Sequence, residues 1–198
     1  MYLFYIYTIV VKTMSRKYNF RDQEKLYFVT FTVVDWIDVF IRAEYRTILV
    51  NSIRYCQLNK GLEVYAYCIM TSHVHMIIGT KGLHKMEAII RDFKSYTSRH
   101  IRKAMEDTNQ VHESRKEWML KRMYSAGKHN SNNNDFQFWQ QNNHPIELSS
   151  NEMMEQRLEY IHLNPVAAGF VDAPEAWLYS SARDYGGTAT GPIQLLYI

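Results

Sequence analysis

Leu26-Tyr27-Phe28-Val29-Thr30-Phe31-Thr32-Val33-Val34 is an apolar run rich in aromatic and β-branched side chains, broken only by Thr30 and Thr32. It reads as a β-strand, with Tyr27, Val29, Phe31 and Val33 sharing one face. A turn at Trp36 to Phe40 leads into a different period. Ile48, Leu49 and Ile53 recur at helical spacing and predict a helix from about Ala43 to Gln57. Asn59-Lys60-Gly61 is a helix stop. The nearly continuous apolar stretch that follows divides into two strands, 63–71 and 73–79, closed at Gly79 to Gly82. So short a link predicts an antiparallel hairpin. Lys85 to Met105 then reads as a second helix, with Met86, Ile89, Ile90, Phe93 and Ile101 inward.

The pattern weakens further on. Glu113 to Tyr124 suits a short amphipathic helix, and the Asn-rich stretch from Gly127 to Asp135 suits a mobile loop. Phe136-Gln137-Phe138-Trp139 alternates and is expected to be the last strand of the sheet. Ser149-Ser150-Asn151-Glu152 has the spacing of a capping box. It opens a helix to about Leu163, with Met153, Met154, Leu158 and Ile161 available for packing. Pro165 is expected to end that helix and leave Asn164 at its frayed edge. Val166 to Tyr185 reads as a tail that wraps the domain.

The order strand, helix, strand, strand, helix, strand is that of an α+β fold. It matches a ferredoxin-like split βαβ sandwich, an antiparallel sheet with helices on one face. The 198 residues suit one domain, 14–198. Tyr2 to Val11 is apolar but shorter than the roughly 20 residues a membrane span needs, and it lacks the flanks of a secretory signal. Residues 1–13 read as a disordered tail or a mis-start ahead of Met14-Ser15-Arg16-Lys17, with an edge strand as the alternative.

A net charge of +3 confines any nucleic-acid surface to a local patch. The second helix offers one: Arg91, Lys94, Arg99, Arg102 and Lys103 share its outer face. Such a face is either simply solvated or a contact for a nucleic-acid backbone. Cys56 and Cys68 are too few for a disulfide framework or a zinc knuckle, and a reducing cytoplasmic setting fits them.

The candidate chemistry centres on His73-Val74-His75. Two imidazoles two residues apart on a strand emerge on one face and can reach one cation. Two ligands are too few for a closed zinc site. Downstream, Tyr160 and Asn164 stand four apart, stacked on one helix face. Two histidines, an amide oxygen and a tyrosine together suit metal-assisted phosphoryl transfer. Each also has an ordinary structural role: exposed strand histidines, a packed ring, a helix-end amide. A tyrosine nucleophile needs help, because a free phenol titrates near 10. His162 projects from another helix face and is not expected to be a ligand. His144, before Pro145, suits either a phosphate contact or a loop hydrogen bond. Tyr96, on the basic helix, is the competing nucleophile.

At these residues the chain resembles the single-tyrosine His-hydrophobic-His (HUH) transposases, above all their REP-associated tyrosine transposase branch. The resemblance is carried by Tyr67 to Ile78, Phe138-Trp139-Gln140, Tyr160-Ile161-His162-Leu163-Asn164-Pro165-Val166 with Gly169, and Tyr179-Ser180-Ser181-Ala182. It implies a ferredoxin-like fold with a C-terminal catalytic helix that cuts and rejoins single-stranded DNA beside hairpins. It further implies Tyr160 as the nucleophile, joined to the 5′ side of the break. His73, His75 and Asn164 would then be ligands of Mg²⁺ or Mn²⁺. Arg91, Lys94, Arg99, His144 and Arg183 are the expected DNA contacts. Branches differ on whether the tyrosine helix serves its own subunit or a partner, which makes a homodimer one expected assembly. The alternatives are a hairpin-DNA-binding protein of the same fold without catalysis, and a metal-dependent hydrolase that uses water.

Overall fold

In the computed structural model, residues 20–107, 109, 111–129, 135–141 and 144–197 are described. The expected tail at 1–13 and the middle of the Asn-rich loop, 130–134, lie outside them. The elements are β1 (Tyr27–Thr32), α1 (Ala43–Lys60), β2 (Leu62–Ile69), β3 (His73–Thr80), α2 (Met86–Glu106), α3 (Lys116–Lys128), β4 (Ile146–Glu147), α4 (Asn151–Ala167) and α5 (Ala182–Tyr185). The strands lie in the order β2-β3-β1-β4, each antiparallel to its neighbours. This is the expected ferredoxin-like arrangement.

The two faces of the sheet bury different helices. Tyr27, Val29, Phe31, Val64, Met76 and Ile78 pack under α1 and α2. Phe28, Ala66, Cys68 and Ile77 form the other face and receive Ile161 of α4. The face assignment in β2 depends on a register shift between Val64 and Ala66. One extra residue there reverses the side-chain alternation. Ala66 and Cys68, rather than the bulky Tyr67 and Ile69, therefore look at α4. At roughly 25 cal/mol per Å² of apolar surface, fully burying Ile161 contributes about 2 kcal/mol to the docking of that helix.

Two expectations are corrected. The last strand is Ile146–Glu147, not Phe136 to Trp139. Phe138 and Trp139 are both buried, so they do not alternate between core and solvent. Phe138 packs edge-on to Phe40, while Trp139 stacks on Phe93 and donates its indole N–H to Thr97 Oγ1 at 3.0 Å. Trp139 forms only an isolated bridge to Val33. The second correction concerns α4. Its cap is Ser150, whose Oγ accepts from the Met153 amide at 3.2 Å, so Ser149 and Glu152 form no box. The helix also continues through Pro165 to Ala167. A proline removes one helical donor. Pro165 is nevertheless buried, and Ala168 N–H still bonds to the Asn164 carbonyl at 3.0 Å. Asn164 is therefore an interior helical residue.

The third helix starts later than expected, at Lys116, and leaves Glu113 in the preceding turn. That carboxylate is fully buried between Arg115 and Arg42.

The C-terminal segment wraps the sheet as expected and seals the outer edge of β2. Ile69 N–H bonds to Tyr179 O and Ser181 N–H to Tyr67 O, both at 2.9 Å. Ser181 Oγ accepts from Tyr67 N–H at 2.9 Å, and Trp177 donates to Ile69 O at 3.0 Å. Covering an edge removes a row of open backbone groups. Ser181→Ala would leave the Tyr67 amide buried without an acceptor. The expected loss is about 2 kcal/mol, read as a lower urea midpoint with an unchanged slope.

Candidate active site

The strand β3 begins at His73 and carries His75 on the same face. Their ring centres lie 4.7 Å apart. His75 is only 4% exposed. Its Nδ1 meets Thr30 Oγ1 at 2.8 Å, across the register pair Thr30–His75. Its ring stacks on Phe28. His73 Nδ1 meets Ser72 Oγ at 3.2 Å. When a hydroxyl holds Nδ1, Nε2 is the nitrogen left to a ligand. Burial drives both imidazoles toward the neutral form. It pulls His75 down to about 3, helped by the charges of His73 and Arg157. His73 is also lowered by burial, against an opposing hydrogen bond from Asn164.

From α4, the Asn164 amide reaches both histidines, with Nδ2 3.4 Å from His75 Nε2. Exchanging the two amide atoms puts Oδ1 beside the imidazoles. Tyr160, one turn earlier, is 44% exposed, with its ring 5.1 Å from that of His75. Phe28 supports it edge-on. All four residues singled out in the sequence thus converge within one chain. Among the described residues no three His, Cys, Asp or Glu side chains cluster as a metal site. The groups that could hold a cation there are instead two neutral imidazoles and, with the amide exchanged, the Asn164 oxygen. Such a set fits a divalent cation that keeps open positions for phosphate oxygens.

Two neighbours escape sequence reasoning. Arg157 lies one turn before Tyr160, and its guanidinium sits over the Phe28 ring at 5.1 Å. Its position three residues before Tyr160 was the available signal. Trp36 lies edge-on to His73, 5.3 Å between ring centres. A turn was expected from Trp36 onward, but the contact of Trp36 with His73 joins residues far apart in the chain.

Other expected residues stand elsewhere. His162 bonds to Ser181 Oγ at 2.8 Å, away from His75, as the helix face requires. Since α2 covers the opposite face of the sheet, Arg91, Lys94, Tyr96 and Arg99 are not part of this constellation. Tyr96 stacks on His100 instead. Arg91 pairs with Asp92, and Arg99 bonds to Ser95 O. Lys94 turns inward to the Gln140 carbonyl at 3.3 Å, and burial pulls its ammonium down to about 7. His144 is exposed, and Arg183 is half-buried in α5.

A family model described as IS200-like transposase matches residues 7–137. That span contains His73 and His75 and ends before α4. Over 94% of this chain and 92% of its own, the structure of a REP-associated tyrosine transposase bound to a REP hairpin superposes with a TM-score of 0.61 at 15% identity. At that identity the likeness concerns the fold. A Deinococcus radiodurans chain described as a candidate transposase covers 58% of this one at 14% identity, with a TM-score of 0.35. The comparison with curated proteins gives no match. No helix among the described residues is long and apolar enough to cross a membrane.

Burial also brings His162 down to about 4. An unfolded histidine takes its proton near 6.5, so between those values the unfolded chain binds more protons. Stability therefore falls as pH drops through that window. Thermal melts at pH 7 and pH 5 should differ by on the order of 2 kcal/mol from this group alone. His162→Gln, which can still reach Ser181, should reduce that difference.

Proposed function

Because this chain belongs to the IS200-like transposase family, we propose that it cleaves and rejoins single-stranded DNA through a covalent bond to Tyr160. The carrying observation is the convergence of an exposed tyrosine with two neutral histidines, His75 buried and His73 half-buried, and an amide on the same face of the sheet. The fold likeness to a transposase bound to a DNA hairpin supports hairpin-flanking DNA as the substrate.

The phenolic oxygen of Tyr160 attacks the phosphorus of a backbone phosphodiester. A Tyr–O–P bond to the 5′ side forms as the bond to the 3′-oxygen breaks. The phenol gives up one proton and the departing 3′-oxygen takes one, so no high-energy cofactor is consumed. The phosphotyrosine stores the bond for rejoining to another 3′-hydroxyl. Mg²⁺ or Mn²⁺ held by His73, His75 and Asn164 would polarise the phosphate and stabilise the charge that builds on it. Thr30 and Ser72 fix the two rings so that Nε2 faces the phosphate. Arg157 offers a guanidinium to a phosphate oxygen from the turn below the nucleophile. Water attack is the weaker reading, because that chemistry calls for a general base and among the described residues no carboxylate joins the histidine pair.

The test is a denaturing gel of the protein with labelled hairpin DNA bearing single-stranded flanks, with Mn²⁺, Mg²⁺ or EDTA. A cation-dependent, protease-sensitive adduct is expected, absent in Tyr160→Phe while hairpin binding persists. His75→Ala should abolish cleavage. An adduct that survives in Tyr160→Phe would refute the assignment. Cleavage without an adduct would indicate water attack, and tight binding without cleavage a DNA-binding protein of this fold.

Arg157→Ala should slow adduct formation at least tenfold, consistent with a lost charge-assisted phosphate contact. Arg157→Lys should recover part of the rate, which a purely structural role would not give.

A further inference from the structure

We propose that Trp36 is a stacking platform for a base next to the scissile phosphate, an inference that rests on the transposase reading above. The indole is 59% exposed, beside a histidine of the candidate site. Exposure of so large an apolar ring runs against burial, and the backbone enforces it. Asp35 and Trp36 adopt φ values of 53° and 55°, two consecutive left-handed residues without a glycine. Such conformations persist only when their surroundings over-determine them, and they concentrate at working sites.

The surroundings do so here. Val34 and Ile37, on either side of the pair, are buried. Val34 N–H bonds to Phe138 O at 2.8 Å, and Trp36 N–H to Val33 O at 3.1 Å. The Asp35 carboxylate is held by Arg122 of α3 at 2.8 Å. The short turn at Val34–Trp36 is thus clamped from three sides, and the indole is what it projects.

Ring contacts place Trp36, His73, His75 and Tyr160 in a row, with Trp36 at the end away from the nucleophile. A phosphate held between the histidines and Tyr160 puts a neighbouring base within reach of the indole. Every base has a π-face, so such stacking adds affinity and placement with little preference for sequence.

The test uses hairpin DNA selected for binding from a library with randomised single-stranded flanks. An abasic site is then walked through the flank. Binding is measured in Tyr160→Phe protein, so that it is separate from cleavage. One flank position should show an abasic penalty of roughly tenfold, in line with base–aromatic stacking. Trp36→Gly in that background should lose about the same on intact DNA and show no abasic penalty at that position. Glycine accepts the positive φ without strain, so this variant keeps the turn, which a thermal melt verifies. Trp36→Phe should retain part of the penalty.

An abasic profile in Trp36→Gly identical to the parent's would overturn the stacking role. It would leave the transposase reading standing, because the Tyr160-dependent adduct is scored separately in otherwise unaltered protein. Absence of both binding and adduct in the parent would overturn the two together.

Discussion

The site depends on how closely α4 can approach the sheet. A helix that lies over Ala66 and Cys68 can sink Ile161 between Phe28 and Ile77. Larger residues there would lift it, and a few tenths of an ångström are felt in a close-packed interior. Tyr160 and Asn164 ride on the neighbouring stripe of the same helix, so their distance to His75 is set by that apolar contact. The register shift before Ala66 is what turns the small residues toward α4. A packing requirement and a catalytic geometry are in this way one constraint.

The electrostatic state of the histidines follows from the same burial. Removing them from water disfavours the imidazolium, and the hydroxyls of Thr30 and Ser72 satisfy one nitrogen of each ring without adding charge. A carboxylate in either place would hold a proton on the ring and raise its affinity for one. The arrangement favours neutral nitrogen donors, most strongly at His75. The exposed Tyr160 beside them keeps access to solvent and to substrate.

Much of this was legible in the sequence wherever one period dominated. The aromatic and β-branched run in β1, the helical spacing in α1 and α2, and the paired histidines pointed to the fold class and to the histidine half of the candidate site. The four-residue spacing of Tyr160 and Asn164 marked the helix that faces the histidines, and the resemblance added the roles expected of each. What escaped were features set by tertiary contact. Phe138 and Trp139 look like strand because they are aromatic, yet each fills a different part of one core. Pro165 looks like a stop, yet it is buried inside the helix, four residues beyond the buried Ile161, and the helix continues to Ala167. Arg157 signalled its place only by standing three residues before Tyr160, and the contacts of Arg157 with Phe28 and of Trp36 with His73 join residues far apart in the chain. The basic face of α2 was legible as a pattern but not as a location, since the pattern does not say which side of the sheet the helix will cover.

The clasp of residues 179–181 on β2 has a temporal meaning. The chain is made from its N-terminus, so the sheet and both histidines leave the ribosome before α4 exists. Until then Phe28, Ala66, Cys68 and Ile77 form an apolar surface facing water, and the outer edge of β2 is open. Nascent chains at that stage are the aggregation-prone ones. The segment that follows α4 both closes the edge and, through Ser181 and His162, pins the helix that carries Tyr160. The proposed site is therefore complete only once α4 and the segment after it have been made, and a chain that stops short of them carries an uncovered apolar face without Tyr160 or Asn164 beside the histidines.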